Sequence, residues 1–187
     1  NNAAGYIGYQ LRELKKDNLI GSVFTDPNNP DDFIAGYVRM VNARTALVAS
    51  ITPYGKFDGF FGIRVACVLE VQYDNVYAER LELLMRLMNE VIPSPPIRED
   101  EDALVYLMTD AMKNGRVITL WTASETYVGF VSQVNDLYLT LSPVDFMGQQ
   151  CAEMTFRLND IEMVSAGSEE ERMYELLDHY YAEQGGQ

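Results

Sequence analysis

The chain repeats one order of predicted elements in its two halves, and this repeat constrains the fold more than any other feature. Each half reads as a helix, several short β-strands and a closing helix. Matching residues lie 93 positions apart, as Gly36 and Gly129 do, or close to that spacing. The matched residues are Gly36-Tyr37-Val38 with Gly129-Phe130-Val131, Asn42 with Asn135, Pro53 with Pro143, Gly59 with Gly148, Arg64 with Arg157, and Glu79-Arg80 with Glu171-Arg172. Their conserved order predicts an internal duplication.

A proline-rich segment separates the halves. The stretch VIPSPPIREDED, residues 91–102, contains three prolines that interrupt any helix, followed by acidic residues that are typical of a helix start. We therefore predict one domain over residues 1–92 and a second over residues 98–187. The acids should fill the first turn of the next helix, which ends at Asn114-Gly115. Its predicted buried face consists of Leu104, Leu107, Met108 and Ala111.

Hydrophobic periodicity assigns the other elements. Residues Ile7, Leu11 and Leu14 share one face of a first helix. Residues 60–73 and 152–165 alternate apolar and polar positions, which predicts one long strand in each half. Ser168 and Glu171 have the spacing of a capping box at the start of the last helix.

Two short motifs recur in the halves. A glycine in the second predicted strand, Gly36 or Gly129, precedes a valine by two positions, and Ile63-Arg64-x-x-x-Val68 corresponds to Phe156-Arg157-x-x-x-Ile161. With the helix that precedes them, these motifs resemble the Sm and Sm-like proteins, which are small, strongly bent five-stranded barrels of the SH3 type. The resemblance covers most of each half. It implies a mainly β protein with flanking helices, built as two Sm-like or SH3-like bent-sheet barrels in tandem.

The resemblance also implies RNA binding near Arg64 and Arg157, but several positions depart from the family pattern. Asn42 and Asn135 stand where the family usually carries an acidic residue. The residues that replace the base-contacting asparagine are Ala46 and Leu139, and those that replace the glycine after the arginine are Val65 and Leu158. These departures argue against RNA recognition in the family's manner.

The charge argues in the same direction. The formal net charge is −14, and the residues from Val117 onward carry two basic and twelve acidic side chains. Such a balance opposes RNA, DNA and anionic membrane surfaces, because all three are bound mainly through Lys and Arg. No membrane-spanning run and no secretory leader is recognisable, and Cys67 and Cys151 fit free thiols in a reducing compartment. We expect a cytoplasmic protein.

Catalytic and metal motifs are missing from the sequence. The one histidine, His179, lies near the end of the last helix without a recognisable nucleophile, and two distant cysteines make a poor zinc set. The acidic stretch DPNNPDD, residues 26–32, lacks the glycine and distal glutamate of a calcium loop and favours a turn. We predict no cofactor, no metal and no enzymatic activity, while an enzyme that uses carboxylates and tyrosines stays an alternative.

The segment ASITPYGKFDGFF, residues 49–61, is predicted to be a turn between two strands. Its counterpart SPVDFMGQQ keeps the proline and a glycine but has different side chains around them. Tyr54, Lys56, Phe57 and Asp58 therefore form a candidate contact patch of the first half, or the rings close the open end of the barrel. The leading hypothesis is a protein-interaction or scaffold module that binds a protein partner or itself through strand edges, and the alternative is an Sm-like RNA-associated protein that uses Arg64 and Arg157.

Overall fold

The computed structural model describes residues 3–184. Within these residues the chain is mainly β and has four α-helices. It forms two compact units, of which the first ends at Ala103 and the second begins at Leu104. The proline-rich segment and the acidic residues after it thus lie in the first unit.

The first unit contains two helices around five strands. Its elements are α1 Ala3–Asp17, β1 Ile20–Phe24, β2 Ile34–Val41, β3 Thr45–Ile51, β4 Phe57–Arg64, β5 Glu70–Tyr73 and α2 Val76–Met88. The strands pair antiparallel in the order β5-β1-β2-β3-β4. Because β5 and β4 lie at opposite ends of this order, the five strands as described leave the sheet open.

Helix α1 covers the core of the first unit with the face that its periodicity predicts, and α2 packs on the same unit. Ile7, Leu11 and Leu14 of α1 are buried. Helix α2 begins at Asn75, whose side chain accepts a hydrogen bond from the Ala78 amide at 2.9 Å, and it ends at Asn89 in the left-handed conformation. The core cluster under α2 consists of Ile20, Ala35, Ile51, Ala78, Leu81 and Met85.

The second unit has the same order of elements. They are α3 Ala103–Asn114, β6 Val117–Thr122, β7 Thr126–Val134, β8 Tyr138–Pro143, β9 Met154–Arg157, β10 Ile161–Ala166 and α4 Glu169–Gln184. The strand order is β10-β6-β7-β8-β9. Leu104, Leu107, Met108 and Ala111 are buried, so the predicted face of α3 is confirmed.

Three local predictions were wrong. Each predicted long strand is interrupted by a 3-10 turn, at Val65–Cys67 in the first unit and at Leu158–Asp160 in the second. The alternation of apolar residues therefore does not correspond to one buried face, and Leu69 is exposed. The turns are set by long-range contacts, because the Val65 amide donates to the Arg44 carbonyl at 2.9 Å. The acids before α3 lie outside it: the Glu101 amide donates to the Arg98 carbonyl at 3.2 Å in a turn, and the helix starts at Ala103.

Gly36 and Gly129 occupy the same position in the two sheets. Each pairs across the second and third strand of its unit, with Ser50 and Pro143 respectively. A Cβ atom would lie 2.0 Å from the Ala49 carbonyl oxygen at Gly36 and 2.3 Å from the Ser142 carbonyl oxygen at Gly129. The strands approach so closely here that only glycine fits. A register shift follows within four residues in both units, which increases the local bend.

Candidate interaction surfaces

The predicted turn of the first unit is closed by Thr52. Its hydroxyl oxygen accepts hydrogen bonds from the amides of Tyr54 and Lys56 at 3.3 and 3.2 Å, and its carbonyl accepts one from Gly55 at 2.9 Å. Gly55 needs its left-handed φ of 76° and lies against α2, where a Cβ would be 2.7 Å from the Cβ of Leu84. The turn is therefore a rigid feature held against the helix.

The four candidate residues of this turn are not equally accessible. Tyr54 and Lys56 are exposed, whereas Phe57 and Asp58 are half-buried in β4. The Phe57 ring makes an edge contact with Phe60 at 5.1 Å. Its amide donates to the Glu90 carboxylate at 3.0 Å. Only Tyr54 and Lys56 are thus fully presented to a partner.

The second unit builds the same turn with other side chains. Asp145 takes the place of Thr52, and its carboxylate accepts from the amides of Met147 and Gln149, both at 2.9 Å. Gly148 has a φ of 79° and lies against Leu177 of α4 as Gly55 lies against α2. The counterpart of Gly148 is therefore Gly55, and its predicted match with Gly59 was wrong.

The same turn exposes an apolar pair that the sequence patterns did not indicate. Phe146 has 86% of its side chain exposed, and the neighbouring Met147 is exposed as well. The sequence could have indicated this pair, because positions at the tip of a turn, such as those between Asp145 and Gly148, usually carry polar residues. The second unit thus presents a larger apolar tip than the first.

Arg64 and Arg157 occupy equivalent positions with opposite surroundings. Arg64 pairs with Thr45 across the third and fourth strands of its unit, as Arg157 pairs with Tyr138. Arg64 lies 3.4 Å from Asp102 and is 19% exposed. Arg157 lies 2.6 Å from Asp160 and is 82% exposed. Only the second arginine is freely accessible to a ligand.

The connecting segment, residues 89–102, covers the region around Arg64. The Asn42 amide group donates to the carbonyl oxygens of Glu99 and Glu101 at 3.0 and 2.8 Å. Lys15 of α1 lies 2.6 Å from the Glu99 carboxylate and lowers its pKa below the usual value. This acidic segment also provides Asp102, which lies 3.4 Å from Arg64, one of the two arginines that the resemblance connects with RNA.

Nearer its start, the segment is held by one arginine of β2. Arg39 donates to the carbonyl oxygens of Pro93 and Ile92 at 3.2 and 3.3 Å, and its guanidinium lies 5.1 Å from the centre of the Tyr37 ring. Backbone acceptors, not side-chain charges, receive these bonds, so the sequence pattern could not indicate them. The connecting segment is a packed part of the first unit.

The asparagine turn itself is the same in both units. The Asn42 side-chain oxygen accepts from the amides of Arg44 and Thr45, both at 2.9 Å. The Asn135 side-chain oxygen accepts from the amides of Leu137 and Tyr138 at 2.8 and 3.0 Å. An asparagine therefore fills the structural role of a turn-closing acceptor at both positions.

Strand β5 lies at one end of the strand order of the first unit and β9 at one end of that of the second, and each has an edge that no other described strand pairs with. In β9 the side chains of Met154, Thr155 and Arg157 are exposed. The Phe156 ring is half-buried, with its centre 4.9 Å from that of Tyr127. An edge strand of this kind offers unpaired backbone groups to a second strand.

The predicted capping box of α4 is confirmed and contains a buried carboxyl group. The Glu171 carboxylate accepts from the Ser168 amide at 2.8 Å, and the Ser168 hydroxyl accepts from the Glu171 amide at 3.2 Å. The Ser165 hydroxyl donates a short hydrogen bond to the same carboxylate. Burial raises the pKa of Glu171, and hydrogen bonds from Ser165, Ser168 and Thr119 oppose part of this rise.

The remaining candidates for chemistry are two cysteines and one histidine. Cys67 and Cys151 are free thiols, as predicted. His179 is exposed and lies 3.2 Å from Glu183. In the described part of the chain, no three histidine, cysteine or acidic side chains are grouped so that they could hold a metal ion. None of the helices within residues 3–184 is both long and apolar enough to span a membrane.

Comparisons of the chain with protein-family models, with curated proteins and with solved structures found no match.

Proposed function

We propose that the protein is a non-enzymatic, cytosolic interaction module, built from two Sm-like units, that assembles with further copies of itself through the edges of β5 and β9. The Sm-like assignment is supported by a helix followed by five strands in each unit, by the sharp approach at Gly36 and Gly129, and by the equivalent positions of Arg64 and Arg157.

The observation that carries the self-association is the complementarity of the two edges. Both strands are four residues long, so that an antiparallel pair can match Met154–Arg157 with Glu70–Tyr73 residue by residue. In that register Arg157 faces Glu70, and Phe156 faces Val71. An opposite charge pair beside an apolar pair is a favourable cross-strand combination.

The burial pattern agrees with this register. Val71 is buried and Phe156 half-buried, whereas the flanking Glu70, Gln72, Thr155 and Arg157 are exposed. Side chains alternate between the two faces of a strand, so Val71 and Phe156 would lie on one face of the paired sheet. A new strand pair in this register would continue the packed face of each sheet.

A charge-swap experiment tests the proposal. Sedimentation velocity over a wide concentration range should show larger species for the wild type and a monomer for Arg157→Glu, which places two acids opposite each other. The double variant Glu70→Arg with Arg157→Glu should restore assembly because it restores the pair in the opposite sense. Arg116→Glu, an exposed charge reversal elsewhere in the second unit, should leave assembly unchanged. A wild type that stays monomeric, or a swap that restores nothing, would refute the proposal.

Sm-like RNA binding is the second candidate, favoured by the exposure of Arg157 beside the Asn135 turn. It predicts binding of short single-stranded RNAs at low salt that weakens steeply as salt is added. Arg157→Glu should abolish this binding and Arg64→Glu should change it little, because Arg64 is paired with Asp102. Absence of binding at low salt would remove this candidate.

A further inference from the structure

Helix α4 has a second apolar face that points away from its own unit. Met173, Leu176 and Tyr180 are exposed, with Leu176 at 62%. Their spacing of three and four residues places them on one side of the helix. Glu171, which is fully buried, and the half-buried Tyr174, Asp178 and Glu175 mark the opposite side. Exposed apolar residues that share a stripe are typical of a contact surface rather than of scattered surface positions.

The turn at residues 145–149 packs on another side of the helix and leaves this stripe uncovered. Gly148 lies against the Cβ of Leu177, and Gln150 donates to the Asp178 carboxylate at 3.0 Å. We call Met173, Leu176 and Tyr180 the α4 surface. Its methionine has a flexible side chain that adapts to a partner.

The charge around the α4 surface indicates what it binds. Three of the six acidic residues of helix α4 are exposed, namely Glu169, Glu170 and Glu183, against one exposed basic residue, Arg172. The chain as a whole carries −14, so that a second copy would bring like charge to this surface. A partner that buries the stripe must therefore be apolar on one face and basic around it. We propose that the α4 surface binds a basic amphipathic helix of another protein.

Helix α2 provides a matched comparison within the same chain. Leu83 and Leu87 are exposed at the positions that correspond to Leu176 and Tyr180, with Leu87 at 69%. However, α2 contains two acidic and two basic residues and is therefore neutral. If the apolar stripe alone were sufficient, both helices would bind the same partner. If the acidic surroundings are required, only α4 binds it.

The test uses a fluorescently labelled Leu/Lys peptide of about four helical turns, with leucines at helical spacing on one face. Binding to the full chain is followed by anisotropy. Leu176→Ser with Tyr180→Ser should weaken binding by about tenfold or more, since central apolar contacts dominate such interfaces. Leu83→Ser with Leu87→Ser should change affinity by less than about twofold, as expected for residues outside an interface. Leu176→Lys, a single exposed substitution, should weaken binding on its own.

Two control peptides separate this site from general attraction to an acidic protein. One has the same composition in scrambled order, and the other carries glutamate in place of lysine. Neither should bind with comparable affinity. The proposal fails if the Leu/Lys peptide does not bind, if the scrambled peptide binds equally well, or if the α2 variant loses as much affinity as the α4 variant. Circular dichroism confirms that each variant is folded. Since the α4 surface and the β9 edge are different elements, loss of one activity leaves the other measurable.

Discussion

The two units place an arginine, an asparagine turn and a tight glycine turn at the same positions, yet they present different surfaces there. In the first unit Arg64 is largely covered and lies next to Asp102, while Arg157 in the second unit is almost fully exposed. The glycine and asparagine positions are shared because the backbone there needs a close approach or a turn-closing acceptor. The arginines share a register position but differ in how far solvent or a partner can reach them, and at such positions a repeated unit can take a different role.

The largest effect is expected where the two units are most alike. Gly36→Ala and Gly129→Ala each force a Cβ to within 2.0 and 2.3 Å of a carbonyl oxygen. Because backbone atoms cannot yield cheaply, each substitution should lower the free energy of unfolding by about 3 kcal/mol or more. Gly115→Ala, where no atom lies within 4 Å but φ is 61°, should cost about 1 kcal/mol. Urea unfolding measures all three, and an equally small loss at Gly36 would contradict the close approach.

Substitution of the two arginines should lower the free energy of unfolding by less, and by more at Arg64 than at Arg157. Arg64→Ala leaves the largely buried Asp102 without its cation and should cost about 1–2 kcal/mol, less than a fully buried pair would. Arg157→Ala removes an exposed pair and should cost less than about 0.5 kcal/mol. Equal losses in urea unfolding would mean that the connecting segment does not stabilise the first unit.

The two units should differ in how their stability depends on pH, because only the second has a buried carboxyl group at Glu171. Its pKa is raised by burial, so the folded state binds this proton more tightly than the unfolded state does. The stabilising contribution is therefore complete below the usual glutamate pKa and is lost as the pH rises through the higher pKa of the folded state. The corresponding position in the first unit is Ala78, whose amide bonds to the cap Asn75 as that of Glu171 bonds to Ser168. The predicted match of Glu79-Arg80 with Glu171-Arg172 was therefore wrong by one position, and the first unit has no titrating group at this place.

The variant Glu171→Gln isolates this contribution, because all other titrating groups are shared with the wild type. As the pH rises across that window, the unfolding free energy of the wild type should fall relative to that of the variant. A difference that is independent of pH, or that shifts toward the wild type, would show that hydrogen bonds to the carboxylate outweigh its burial.

The sequence was most informative wherever a pattern is local. Helical spacing identified the buried faces of α1 and α3, and the capping box at Ser168 was recognisable from two residues. The repeated order of elements was also recognisable, although the match of Gly59 with Gly148 and that of Pro53 with Pro143 were wrong by a few positions. Gly55 is the true counterpart because contact with the closing helix, invisible in the sequence, determines which glycine the turn requires.

The candidate surfaces depended on contacts between distant residues, which no local pattern encodes. Periodicity predicted a strand across Val65–Cys67, where the chain forms a 3-10 turn. The hydrogen bond from the Val65 amide to the Arg44 carbonyl joins residues that are distant in sequence, so no local pattern shows it. Nothing in the acidic run at residues 98–102 shows that its carbonyl groups accept hydrogen bonds from Asn42. The exposed stripe on α4 was recognisable in principle from its spacing, but the same spacing also fits a buried face.

Hydrogen exchange along β9 tests the central proposal most directly. Amides of Met154–Arg157 that are unpaired at low protein concentration should become protected as the concentration rises, together with those of Glu70–Tyr73, while amides of the buried strand β3 stay unchanged. Mass spectrometry of peptides that cover these strands provides the measurement. The predicted result is that protection of both edge strands increases with protein concentration in the wild type and does not increase in Arg157→Glu. Exchange of β9 that is fast and independent of concentration would contradict assembly through this edge.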